Sequence, residues 1–189
     1  MSASPVFSRR DLVGAALAAT LFSGCATPPP SITKITSGRM AMQVVNDASR
    51  SFNADFELQG SADRGQLLLS GMLGTRLAQA TWTPTRVTLS TGSEQHTFQS
   101  LDHMALAVFG ESIPLTALFD WIEGRPWPQA ASEALPDKTP GFQQMGWTID
   151  LQRLNEGRIL AQRAAATAAN TDAGLAHPEL RLRIRLDRP

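Results

Sequence analysis

Residues 66–82 read QLLLSGMLGTRLAQATW, and this stretch decides how the chain folds. Two strand-like runs flank a short connection in which Met72 and Leu73 stand between two glycines. A short connection of this kind predicts an antiparallel hairpin, and we call its residues 71–74 the tip. Turns are usually polar because they face water. The apolar tip therefore either folds back onto the core or touches an apolar partner, and its own residues favour the first.

Alternation of apolar and polar residues continues outward from this hairpin in both directions. Phe52, Ala54, Phe56 and Leu58 share one face of a run whose other face is polar, which is typical of a half-buried strand. Strands are predicted at 39–44, 51–58, 66–70, 76–82, 87–89, 95–98, 142–151, 158–163 and 179–187. A turn is predicted at 46–49, and loops at 126–140 and 164–176. Short connections between such strands predict an antiparallel meander.

The apolar period lengthens after residue 99, and two short amphipathic helices are predicted. The first has Ser100 as its N-cap and an apolar stripe formed by Leu101, Met104, Ala105 and Val108. The second begins near Pro114 and has an apolar stripe formed by Leu115, Leu118, Phe119 and Ile122. Strands and helices that each have one apolar face predict a mainly β fold, in which a sheet curls around the helices. Periodicity leaves open whether the interior is packed or hollow.

The first 24 residues resemble a bacterial secretory signal that ends in a lipobox. A basic pair, Arg9 and Arg10, precedes an apolar run at 12–23 that is too short to span a membrane. Small residues then precede Cys25, as in lipoproteins whose cysteine becomes lipidated and N-terminal after cleavage. We therefore expect a signal peptide at 1–24. The sequence SRRDL at 8–12 fits both a twin-arginine and a general secretory signal.

A proline-rich segment follows the cysteine. Three consecutive prolines in 27–31 predict an extended, fairly stiff spacer. We therefore expect 25–34 to form the lipidated cysteine and its tether, and 35–189 to form the folded domain. Resemblance to sorted lipoproteins implies that Asp after the cysteine favours retention in the inner membrane. Ala26 stands there instead, which points to the outer membrane.

Composition argues against several functional classes. The chain has 189 residues, of which 42% are hydrophobic and 18% charged, as expected for one globular domain with a sizeable core. Its net charge is zero and no basic stripe is visible, so no nucleic-acid partner is expected. A single cysteine excludes an internal disulfide and a multi-cysteine metal site. The three histidines fit no metal or catalytic motif, so we expect neither an enzyme nor a cofactor.

The last predicted strand has a row of arginines on one face. Its leucines and Ile184 alternate with Arg181, Arg183 and Arg185. Such a row is most often a solvated strand face that resists aggregation. The alternative is that the arginines meet phosphate or a partner.

Six short motifs occur along the chain: Gly38-Arg39, SFNADFEL at 51–58, Leu73-Gly74-Thr75, Ile113-Pro114-Leu115, WIEGRP at 121–126 and Gly146-Trp147. In their order and spacing these motifs resemble the LolB family of outer-membrane lipoprotein receptors. The resemblance covers residues 35–187 and agrees with the lipobox. It implies an open half-barrel, that is, a curved antiparallel sheet with short helices covering an apolar cavity for acyl chains.

The resemblance also implies a function and partners. A member of this family takes lipoproteins from the periplasmic carrier LolA and inserts them into the inner leaflet of the outer membrane. It implies a monomer anchored in the outer membrane and facing the periplasm. It further implies a protruding loop with an exposed leucine needed for insertion, and Leu73 is the matching residue. Family members often have proline before that leucine, where this chain has Met72.

The resemblance reverses the first interpretation of the tip, so that we expect Leu73 and Met72 to be exposed. The candidates for the cavity wall are inward-facing apolar side chains, with methionine suited to a variable acyl surface: Met40, Met42, Phe52, Phe56, Trp82 and Trp147. The alternative function is a structural or assembly-accessory outer-membrane lipoprotein. Such a protein would have a filled core and would bind a protein partner through an exposed edge strand.

Overall fold

The computed structural model describes residues 35–167 and 176–187. The strands are β1 (Ile35–Val44), β2 (Asp47–Gly60), β3 (Gly65–Ser70), β4 (Arg76–Thr83), β5 (Arg86–Thr91), β6 (Glu94–Phe98), β7 (Ser132–Ala134), β8 (Gly141–Gln144), β9 (Trp147–Asp150), β10 (Arg158–Arg163) and β11 (Leu180–Leu186). The helices are α1 (Leu101–Phe109) and α2 (Leu115–Trp121). The predicted signal peptide, 1–24, and Cys25 with its tether, 25–34, lie outside the described residues.

These strands form one antiparallel sheet in the order β6-β5-β4-β3-β2-β1-β11-β10-β9-β8-β7. The pairing of β1 with β11, from Gly38 opposite Leu186 to Val44 opposite Leu180, joins an N-terminal meander to a C-terminal one. Strands β6 and β7 are the two edges, so the sheet is open. The predicted fold class is thus confirmed. Neither helix in the described part of the chain has the length and the continuous apolar sequence that a membrane-spanning helix needs.

The contacts of α2 show that the sheet is strongly curved. Phe119 packs edge-on against Trp82 of β4, with ring centroids 5.6 Å apart. Trp121 lies 6.1 Å from Trp147 of β9. In a flat sheet these two strands would be roughly 29 Å apart, since neighbouring strands are spaced about 4.8 Å. A helix of this length spans only about 10 Å, so it reaches both strands because the sheet curls around it.

The run 142–151, predicted as one strand, is a hairpin of β8 and β9. Met145 and Gly146 form its turn with φ angles of 53° and 76°, the left-handed pair that a type I′ turn requires. The buried positions change from even to odd numbers at this turn, from Phe142 and Gln144 to Trp147 and Ile149. This switch from even to odd positions is the sequence signal that a turn interrupts the run.

The turn predicted at 46–49 and the loop predicted at 126–140 both contain residues that belong to strands. Asp47 already belongs to β2, so only Val45 and Asn46 connect it to β1, and Asn46 adopts a left-handed φ of 67°. The polar cluster at 46–49 suggested a wider turn, but Asp47 Oδ1 accepts a hydrogen bond from the backbone N–H of Ser49 inside the strand. The loop predicted at 126–140 contains the short edge strand β7, whose three exposed residues are too few to show a pattern.

Both helices occur where the apolar period predicts them, and the predicted N-cap of α1 is confirmed. Ser100 Oγ accepts a hydrogen bond from the backbone N–H of His103 at 3.1 Å. Gly110 ends the helix with φ 67°, and its N–H donates to the Leu106 carbonyl.

Replacing Ser100 with alanine should lower the free energy of unfolding by about 1 kcal/mol, because an N–H at the start of α1 loses its acceptor. Urea denaturation measures this loss. Ser93→Ala, in the exposed turn between β5 and β6, is the matched control and should change stability little. Equal losses in the two variants would contradict the capping role of Ser100.

Candidate functional site

An apolar cavity of about 440 Å³ lies between the concave face of the sheet and the two helices. Its wall is formed by β1 to β5, β11, α1 and α2. The volume is within the range of ligand-binding pockets, roughly 300–1,000 Å³. Arg50 is the only charged side chain that lines it within the described residues. No group of three or more His, Cys, Asp or Glu residues could hold a metal ion there or elsewhere in this part of the chain.

Five of the six side chains predicted for the cavity wall do line it: Met40, Met42, Phe52, Phe56 and Trp82. Trp147 does not, although it is buried on the inner face of β9. Trp121 packs against it, and the guanidinium of Arg163 lies 5.6 Å from its ring centroid. Helix α2 therefore fills this part of the concave face. The prediction for Trp147 is wrong because alternation shows which face a residue occupies, and not what lies opposite it.

Many wall residues were missing from the predicted cavity set. They include Leu67, Leu69, Leu77, Leu101, Met104, Phe109, Leu115, Leu118 and Phe119. The apolar stripes of the two helices were visible in the sequence and point toward the sheet. The width of the gap between these stripes and the sheet depends on how strongly the sheet curls. The apolar periodicity carries no information on that width.

The tip projects into solvent, as expected. Met72 and Leu73 are 87% and 103% exposed. The backbone N–H of Gly71 donates to the Thr75 carbonyl at 2.8 Å and closes the loop. Leu73 has φ 68°, a left-handed conformation that costs a non-glycine residue about 1–2 kcal/mol. A fully exposed leucine in a strained conformation contributes nothing to the core, so packing does not explain why leucine stands here.

The tip lies beside the opening of the cavity. A methyl group added to Gly71 would be 3.4 Å from the Leu77 side chain, so the loop rests against that leucine. Leu77 lines the cavity and is still 47% exposed. Val108 of α1 likewise lines the cavity and is exposed. These two half-exposed wall residues mark the opening, and the tip is next to it.

A partly buried group of charges, which we call the ion triad, fastens the connection between the helices to the sheet. Glu111 accepts hydrogen bonds at 2.6 Å from both Arg50 of β2 and Arg163 of β10. Glu111 is 6% exposed and Arg163 is 9% exposed. Arg163 also donates to the Ser112 carbonyl at 2.9 Å. Because Glu111 and Arg163 are largely out of water, each of these two charges depends on its partners, whereas Arg50 is partly solvated.

Arg50 also holds the end of α1. Its Nη2 donates to the Phe109 carbonyl at 3.0 Å, where the negative end of the helix dipole favours a cation. A Cβ on Gly110 would lie 3.2 Å from the same nitrogen. Glycine at 110 therefore allows both the left-handed helix end and the close approach of Arg50.

Asp102 connects the starts of the two helices. Its Oδ1 accepts a hydrogen bond from the backbone N–H of Thr116 at 3.4 Å. Burial raises the pKa of Asp102 above the ordinary carboxyl value. The folded state thus holds this proton more tightly than the unfolded state does. The contribution of Asp102 to stability is therefore greatest at low pH and falls as pH rises through this raised pKa.

Known proteins resemble this chain over the region that holds the cavity and the tip. The family model described as "Outer membrane lipoprotein LolB" matches residues 35–188. A protein of Halorhodospira halophila named outer-membrane lipoprotein LolB is 30% identical over 189 residues, covering 87% of this chain and 92% of its own. Proteins of the same name from Chromohalobacter salexigens and Cellvibrio japonicus are 28% and 29% identical. They cover 77% and 71% of this chain, and 77% and 75% of their own lengths.

Proposed function

Because this chain belongs to the LolB family of outer-membrane lipoproteins, we propose that it accepts lipoproteins from the periplasmic carrier LolA and inserts them into the inner leaflet of the outer membrane. One observation carries the proposal. An apolar cavity of about 440 Å³ opens next to a hairpin tip with two exposed apolar side chains. The cavity is the proposed site for acyl chains, and the tip is the proposed point of contact with the membrane.

The energetics of acyl transfer support this division of roles. Each CH₂ buried away from water is worth about 0.8 kcal/mol, so an acylated protein needs apolar shelter at every stage between two membranes. A receptor wall of leucine, methionine and aromatic side chains provides such shelter. The flexible Met40, Met42 and Met104 can adapt to different chain positions. The acyl chains have their lowest free energy in the bilayer, so their transfer into it needs no other energy source. We therefore expect no nucleotide, metal or other cofactor in this step and no catalytic residue.

The remaining parts of the chain complete the proposal. Cys25 is the proposed lipidation site, and the proline-rich segment that follows is the proposed tether to the outer membrane. Leu73 is proposed to enter the bilayer as cargo leaves the cavity, with Met72 beside it. The structure supports the last role through the exposure of both side chains and their position at the cavity opening.

A fluorescent fatty-acyl probe tests whether the cavity binds acyl chains. The sheet, the helices and the core lie within the described residues, which begin at Ile35, so a chain beginning at Ala26 keeps all of them and lacks an acyl group of its own. This chain should bind the probe with a saturable fluorescence increase. If it binds no acyl ligand but captures a protein partner through an edge strand, the alternative of an assembly-accessory lipoprotein replaces the proposal.

Ala78→Trp should weaken probe binding by roughly tenfold or more, since an indole placed in the cavity removes contacts worth at least two CH₂ groups. Ala78 lines the cavity and is half-buried, so the new ring has open space to enter. Ala41→Trp, on the opposite face of the sheet, is the matched control and should bind the probe normally. Unchanged binding by Ala78→Trp, in a folded protein, would place the probe outside this cavity.

A further inference from the structure

The outer face of the sheet has a second cavity, a groove of about 410 Å³ in which arginine is the commonest lining residue. Five of its lining residues are cationic and one, Asp150, is acidic. The cationic residues, which we call the arginine groove, are Arg39, Arg153, Arg158, Arg183 and Arg185. The groove lies on the opposite side of the sheet from the acyl cavity, and the proposed function does not use it.

Three of these arginines lie side by side across neighbouring strands. Arg158 of β10 is directly opposite Arg185 of β11, and Arg185 is directly opposite Arg39 of β1. Strands are spaced about 4.8 Å apart, and like charges placed directly opposite each other destabilise a sheet. The arrangement therefore costs stability, and a bound anion would offset that cost.

The nearby carboxylates neutralise only part of the groove. Arg39 binds Asp55 at 2.8 Å, and Arg153 binds Glu156 at 2.7 Å. Arg158 lies 3.8 Å from that same Glu156 oxygen. In the described part of the chain, Arg183 has only a 3.4 Å hydrogen bond to Gln43, and Arg185 has no ion pair. Both are exposed, so they are the arginines most available to an external anion.

The register of the sheet places the row formed by Arg158, Arg185 and Arg39 level with the base of the tip. Arg39 is opposite Asp55, and Asp55 is opposite Ser70, the last residue of β3. Leu73 is three residues further on and extends at most about 10 Å beyond this row. An amphipathic helix at a membrane surface buries its apolar face about 5–10 Å into the boundary between headgroups and acyl chains, and we expect a comparable depth for the tip. If the hairpin enters the bilayer tip first, in the direction of β3 and β4, this row of arginines reaches the depth of the lipid phosphates.

We propose that the arginine groove binds the phosphate groups of membrane phospholipids while the tip enters the bilayer. Arg183 and Arg185 are the principal ligands, because they have the fewest partners within the protein. Arginine suits this role since its planar fork of donors matches phosphate oxygens. This inference rests on the proposed insertion of the tip, and it adds a headgroup-binding site on the outer face. A phospholipid is favoured over an acidic protein because the groove shares its level with the tip.

The test measures binding of the chain beginning at Ala26 to vesicles by flotation. One set of vesicles contains phosphatidylcholine alone, and in the other phosphatidylglycerol replaces part of it. Arg183→Gln combined with Arg185→Gln should weaken binding to the phosphatidylglycerol vesicles on the order of tenfold, since each arginine near an anionic surface contributes separately. Inorganic phosphate should displace the unsubstituted chain more strongly than chloride at equal ionic strength.

Arg64→Gln combined with Arg86→Gln is the matched control. It removes the same charge from two exposed arginines at the other end of the hairpin, Arg64 just before β3 and Arg86 at the start of β5, and it should bind vesicles normally. Equal weakening by both pairs, or equal displacement by phosphate and chloride, would reduce the groove to a general charge effect and overturn the proposal. Normal vesicle binding by the Arg183/Arg185 variant would also overturn the proposal. If that variant in addition captured LolA more weakly, the groove would be identified as a protein-docking surface.

Uptake of the acyl probe separates this inference from the proposed function. Both arginine pairs lie outside the acyl cavity and should leave uptake unchanged. If the unsubstituted chain failed to take up the probe and still bound vesicles through Arg183 and Arg185, the acyl receptor role would fall and the headgroup site would stand. If the chain took up the probe normally but bound vesicles equally well without Arg183 and Arg185, the headgroup site would fall and the acyl receptor role would stand.

Discussion

Leu73→Glu should leave the fold and acyl uptake intact and should reduce delivery of lipoproteins to vesicles more than tenfold. Leu73 touches no core residue, being fully exposed, so its replacement removes no packing. In the bilayer, however, a leucine side chain gains about 1.5–3 kcal/mol on burial, and a carboxylate loses that gain and must also be dehydrated. The difference exceeds the 1.4 kcal/mol that corresponds to a factor of ten.

The measurement follows a labelled lipoprotein from loaded LolA to the receptor and then to vesicles. Leu73→Glu should accept cargo at the normal rate and release it slowly into lipid. Met145→Glu is the matched control, since Met145 is also an exposed apolar residue with positive φ at a hairpin turn. It should transfer cargo normally. Loss of structure in Leu73→Glu, seen by circular dichroism, would show that the tip belongs to the core.

Glu111→Ala should lower the free energy of unfolding by about 3–5 kcal/mol. It leaves the buried guanidinium of Arg163 without its carboxylate and releases Arg50 from the helix connection. The helices should then be held less firmly over the cavity. Urea denaturation measures the loss, and Glu133→Ala on the exposed strand β7 should change stability little.

A double substitution shows whether the unpaired charge is the cause. Glu111→Leu combined with Arg163→Met should be less destabilising than Glu111→Ala, because it removes the buried charge along with its partner. If the double variant were as unstable as the sum of its single variants, then packing in this region, and not charge pairing, would explain the loss.

Much of the fold followed from local patterns. Strands β1, β2 and β11 each bury alternate residues, and the two helices repeat apolar residues at the helical period, so their positions could be predicted within a few residues. The hairpin at β8 and β9 was missed because both strands are short and are separated by only two residues. Strand β7 was missed because an exposed three-residue edge strand has no apolar face.

The candidate site, like the fold, was predictable from the sequence only in part. The sequence by itself determined which residues face inward, that an apolar pair occupies the tip, and that the chain resembles a lipoprotein receptor. Only the tertiary structure decided that Phe56 faces open space while Trp147 faces a packed helix. It also brought Arg50, Glu111 and Arg163 together from three separate parts of the chain. The physical reason is that periodicity records the direction of a side chain, whereas a cavity or an ion pair depends on how far apart curved and packed elements lie.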